Sequence, residues 1–125
     1  MQARNSGLTQ NAVQGLRAFN RQDFYEAHEW FEKAWRESPA DVREFYRGLL
    51  QLSGGYYRLT QGRPKAAMKF FDRAQFWLVP FPNPFFSIDP ERIREAISEL
   101  RIALASQQPA GIIVEDHFHP IDFTA

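Results

Sequence analysis

The chain has 125 residues, 44% of them hydrophobic, with 15 Lys+Arg against 15 Asp+Glu and no cysteine. One domain with a real core fits this length, and disorder does not fit this composition. Zero net charge speaks against a nucleic-acid binder, and the missing cysteine excludes disulfides and thiolate metal sites.

No apolar run approaches the ~20 residues of a membrane span. The opening MQARNSGLTQ lacks the apolar stretch of a signal peptide. The expectation is a cytoplasmic protein without membrane or nucleic-acid partners.

Five helices are predicted in chain order. Leu8, Ala12, Leu16 and Phe19 recur at steps of three and four over residues 7–20, with Thr9 as a candidate cap. Asn20-Arg21-Gln22 reads as a turn. Asp23 caps the second helix, paired with Glu26 as in a capping box, and Ser38-Pro39 ends it near Glu37. Asp41 is the expected cap of a third helix over 42–60, whose apolar face carries Phe45, Leu49, Leu52, Tyr56 and Leu59. Gly62 suits a left-handed C-terminal cap and Pro64 the first turn of a fourth helix, 64–78. The prolines and phenylalanines of VPFPNPFFSI, 79–88, exclude a helix and suggest a loop covering the bundle. Asp89-Pro90 opens a fifth helix with the stripe Ile93, Ile97, Leu100 and Leu104, ending near Gln107. Beyond Pro109 the helical period is lost, and Ile112, Ile113 and Val114 favour an extended segment.

AHEWFEKA at 27–34 and AMKFFDRA at 67–74 repeat at an offset of 40. The small–aromatic–small pattern is similar to that of tetratricopeptide repeats, but two copies fall short of the three needed for an array. The reading is therefore all-α: a compact antiparallel bundle of about five helices over 1–108. It comprises two similar helical hairpins and a closing helix, followed by an extended tail over 109–125.

His28 lies on the flank of the apolar side of the second helix, one turn from Tyr25 and Glu32, with Glu29 pointing further towards solvent. The repeat has Met68 in its place. A half-buried imidazole needs a partner, and Glu32 is the nearest. His28-Glu29-x-x-Glu32 is also half of a zincin helix, with Glu32 where the second His would stand. As metal ligands, His28 and Glu32 would need a third group from elsewhere. Arg47, Gln51 and Arg58 share a stripe of the third helix near Gly48, Gly54 and Gly55. Those glycines signal either tight helix packing or a pocket in which Gln51 faces His28 and Glu32.

DFYEAHEWFEKAW followed by FYRGLLQLSGGYYRL resembles the domain-of-unknown-function family 309. The carrying residues are Tyr25, Glu26, Ala27, His28, Glu29, Glu32 and Trp35, then Phe45, Gly48, Leu49, Leu50 and Gln51. RPKAAMKFFDRA, 63–74, resembles the family's later basic segment. The resemblance covers roughly residues 19–80, implies an all-helical bundle and implies no activity.

Two further clusters stand out. His117 and His119 face one side of an extended tail, beside Glu115, Asp116 and Asp122, and could hold a metal or be a solvated acidic terminus. Trp30, Trp77, Phe81, Phe85 and Phe86 offer aromatic surface to loop packing, a peptide or a second subunit. With the apolar tail, they favour a homodimer. No Gly-x-Ser-x-Gly, phosphate-cradling loop or dinucleotide signature occurs. The leading expectation is thus a non-catalytic module binding a partner protein or small ligand. Tyr25, His28, Glu29, Glu32, Trp35, Arg47 and Gln51 form its site. The alternative is a metal-dependent hydrolase with His28 and Glu32 as ligands.

Overall fold

Side-chain caps set three of the helix starts in a computed structural model that describes residues 7–82, 84–106 and 114–124. Thr9 accepts the Ala12 N–H at 3.0 Å ahead of α1 (Gln10–Asn20). Asp23 accepts the Glu26 N–H at 3.3 Å ahead of α2 (Phe24–Glu37). Asp89 accepts the Arg92 N–H at 3.1 Å ahead of α5 (Pro90–Leu104). Each oxygen satisfies one of the donors that a helix start leaves open.

The expected capping box is only half made. The Glu26 carboxylate turns outward, accepting from the Trp30 indole at 3.1 Å and from Arg21 at 2.6 Å. Trp30 first, then Arg21, hold its carboxyl below the usual range. The third helix also departs from expectation. α3 (Ala40–Thr60) starts after Pro39 with no side-chain cap, and Asp41 lies inside its first turn. There its charge complements the positive end of the helix dipole instead.

α4 (Pro64–Leu78) begins with Pro64 in its first turn, as expected. Gly62, at φ 71, ends α3 with Gly62 N–H donating to the Leu59 carbonyl and Arg63 N–H to that of Arg58. That is the Schellman pairing. Gln22, at φ 65, ends α1 with the same pattern, through Phe19 and Ala18.

α1 packs on α2, α2 on α3 and α3 on α4, while α5 makes a smaller contact with α4. The result is the expected all-α bundle of two hairpins and a closing helix. The described residues contain no strand, only an isolated bridge between Phe85 and Ile88. Phe81, Phe85 and Phe86 stack together, with Phe81 and Phe85 4.8–5.3 Å from Phe45, so this loop covers the bundle. α5 stops at Leu104, ahead of the expected Gln107, which lies outside the described residues.

The helical glycines are contact points. A β-carbon on Gly48, Gly54 or Gly55 would come within 2.5–2.8 Å of Leu78, Phe70 or Phe71. Tight packing of α4 on α3 therefore accounts for all three. The repeat carries the same device: Gly15 seats Phe31 as Gly55 seats Phe71, each pair offset by 40.

The tail also differs from the extended strand expected. Val114–His117 form a short helical turn, α6, and His119 meets Glu99 of α5 at 3.1 Å. Ile112 and Ile113 lie outside the described residues. Phe118 sits 5.3–5.7 Å from Phe19, Phe24 and Tyr56. Asn20 clasps Ile121 twice, accepting its N–H at 2.8 Å and donating to its carbonyl at 2.9 Å. Beneath, burial pushes the Tyr56 phenol well above its usual range.

Candidate functional site

Three helices meet around an open cavity of about 450 Å³. α2 contributes His28, Glu32 and Trp35. These follow one another at steps of four and three, so they line a single helical flank. α3 contributes Arg47, with Leu50 and Gln51 three and four residues on. α4 contributes Arg73 and Trp77, one turn apart.

Five of the seven residues singled out in the sequence therefore face one space: His28, Glu32, Trp35, Arg47 and Gln51. Two do not. Tyr25 is 53% exposed and stacks towards Tyr57, 5.4 Å between centroids, with the His28 ring 6.5 Å away. Glu29 is exposed outside the cavity. Arg58 is turned away too. Its guanidinium bonds Gln61 at 2.9 Å and lies over Tyr57 and Phe70.

His28, Glu32 and Gln51 share the cavity without bonding to one another, so Glu32 does not serve as the expected partner of the His28 imidazole. Arg36, one turn along α2, takes the Glu32 carboxylate at 2.6 Å. A charge-assisted guanidinium–carboxylate bond is among the strongest a side chain can make. For the metal reading, no group of three His, Cys, Asp or Glu side chains comes together among the described residues.

The polar bookkeeping of the walls is incomplete. Gln51 Oε1 and Trp35 Nε1 are buried and have no hydrogen-bond partner. Arg47 lies 5.0 Å from the centre of the Trp35 ring and 4.4 Å from that of Trp77. Its Nε faces Glu44 Oε1 at 3.3 Å. Two cation–π contacts and one ion pair thus hold this guanidinium in place.

Arg73 and Trp77 were not placed in the site by sequence reasoning, which framed it with α2 and α3 alone. The repeat carried the missing signal. It sets α4 against α3 as α2 is set against α1, which turns one flank of α4 towards Arg47 and Gln51.

A second, smaller cavity of about 130 Å³ lies under the tail, between Phe19, Tyr56, Ile93 and Ile121. It shares no residue with the first.

Residues 12–70 match the family model of a domain of unknown function (DUF309). The resemblance carried by the His28 and Gln51 motifs therefore holds. The match includes His28, Glu32, Trp35, Arg47 and Gln51 and stops before Arg73 and Trp77. An uncharacterised protein of Aquifex aeolicus (strain VF5) is 29% identical over 84 residues, 66% of this chain. The shared stretch spans only 25% of that relative.

Proposed function

We propose that this chain is a non-catalytic ligand-binding module whose α2–α3–α4 cavity takes a small organic molecule. The observation that carries the reading is the pair of buried, unpartnered polar atoms in its walls, Gln51 Oε1 and Trp35 Nε1. Leaving a buried donor or acceptor unsatisfied costs about 1–3 kcal/mol, and two such groups around one cavity call for a reason. A bound molecule that engages the wall supplies one.

Size and shape favour a small molecule over a partner protein. The space is concave, within the range of small-molecule sites, and mixes indole and leucine surface with a few polar groups. No observation favours the metal-dependent hydrolase, because Glu32 is engaged by Arg36 and no third ligand joins it among the described residues. None of the helices is long and apolar enough to cross a membrane, among the described residues. A cytoplasmic setting, where a chain without cysteine loses nothing, completes the proposal.

The test is Gln51→Met, which keeps the volume of the side chain and removes the orphaned acceptor. If the amide is kept for a ligand, the free protein becomes more stable by about 1 kcal/mol, a rise of roughly 3–5 °C in melting temperature. An unchanged or lowered melting temperature removes the argument for a ligand.

A further inference from the structure

We infer that the molecule taken by this cavity is a small organic carboxylate, gripped at its acid group by the Nη edge of Arg47; the inference rests on the ligand-site reading above. Charge is the first support. The cavity wall carries two guanidiniums, Arg47 and Arg73, and one carboxylate, Glu32. Glu32 is already neutralised by Arg36, which does not line the cavity. Arg73 has no carboxylate partner among the described residues and lies over the Phe70 ring, 5.7 Å from its centre. Arg47 is likewise paired with Glu44, which does not line the cavity, so the excess positive charge of the wall rests on Arg73.

The second support is how Arg47 is held. Its Nε is engaged by Glu44, and its charge is steadied by Trp35 and Trp77. Among the described residues no acceptor bonds either terminal nitrogen. A guanidinium fixed at one edge and open at the other is preorganised for a two-point acceptor. Carboxylates meet that fork with two parallel N–H···O bonds. The indole and Leu50 surfaces beside it suit the carbon skeleton of such an acid.

Phosphate shares the anionic chemistry, so the experiment separates the two. The probes are benzoate, its neutral isostere benzamide, and inorganic phosphate. The readout is the indole N–H signals of Trp30, Trp35 and Trp77 in ¹⁵N-labelled full-length protein, assigned with single Trp→Phe variants. Benzoate is expected to shift the Trp35 and Trp77 signals saturably and leave Trp30 in place, with benzamide at least about tenfold weaker. Arg47→Lys, which keeps the charge but loses the fork, is expected to weaken benzoate by about the same factor. Equal binding of benzoate and benzamide overturns the anion inference and leaves the ligand site standing. Tighter binding of phosphate than benzoate overturns the carboxylate assignment. Silence of Trp35 and Trp77 to all three probes also overturns it, while Gln51→Met judges the ligand site on its own. The comparison of benzoate with benzamide uses the unaltered chain, so it decides even if an Arg47 variant fails to fold.

Discussion

Gln22 is a glutamine doing a glycine's work. Its φ of 65 places it in the left-handed region, as Gly62 is at 71, and both close a Schellman pairing at the end of the first helix of a hairpin. An L side chain costs about 1–2 kcal/mol there, and glycine returns part of that through its freer unfolded chain. Gln22→Gly is therefore expected to stabilise the protein by roughly 0.5–1 kcal/mol, read as a higher urea midpoint at constant slope. A lower midpoint would mean that the exposed Gln22 side chain contributes contacts of its own. The same residue shows where sequence reading stops. Gly62 announced its conformation because glycine alone adopts it freely. Gln22, Phe86 and Ser87 reach positive φ with nothing in their chemistry to signal it. Phe86 and Ser87 do so because the two backbone bonds between Phe85 and Ile88 close a tight turn around them.

At the scale of elements, the hairpins were legible because period and capping are local properties. Thr9, Asp23 and Asp89 cap as their chemistry dictates, whereas Asp41 does not, since Pro39, two residues earlier, already stands at the N-cap. The offset of 40 was legible in Ala27–Ala34 and Ala67–Ala74, but its packing meaning was not. Gly15 reads as a mild weakness in a helix until Phe31 is seen against it. Gly55→Ala is expected to cost about 1–3 kcal/mol, because the new methyl would meet Phe71 Cε1 at 2.5 Å in the core. In an exposed helix the same change would be favourable by up to about 1 kcal/mol, so the sign alone is diagnostic. Gly15→Ala is expected to behave alike against Phe31, and equilibrium unfolding of both variants checks the pair. The cavity follows the same division. The faces of α2 and α3 were fixed by the helical period, which placed His28, Glu32, Trp35, Arg47 and Gln51 together. Pairing of long side chains was not, because the long, flexible Arg36 side chain takes Glu32 from outside the wall.

For the whole molecule the deciding segment is 114–124. Its apolar residues suggested a homodimer, as did the 79–88 loop. Aromatic residues of both have partners within the chain: Phe118 among Phe19, Phe24 and Tyr56, and Phe81 and Phe85 on Phe45. Among the described residues, the large apolar side chains that stay exposed are Tyr25, Phe76, Val79 and Ile102. A tail held in its own chain adds stability that no dilution removes; a tail exchanged with a second copy ties stability to concentration. Ending the chain at residue 113 uncovers the aromatic cluster and the Asn20 clasp. Buried Ile121 contributes about 1.5–3 kcal/mol and half-buried Phe118 a smaller amount, together a sizeable share of the roughly 5–15 kcal/mol of a typical domain. The truncated chain should therefore melt far below the full one, or fail to fold. Asn20→Ala, which removes only the clasp, should cost about 1–3 kcal/mol and remain measurable. Melting of the full chain and of Asn20→Ala over a hundredfold range of concentration then decides between the two arrangements. A melting temperature that does not move with concentration is the outcome expected of a tail docked in its own chain. One that climbs with concentration would assign the tail to a neighbouring subunit.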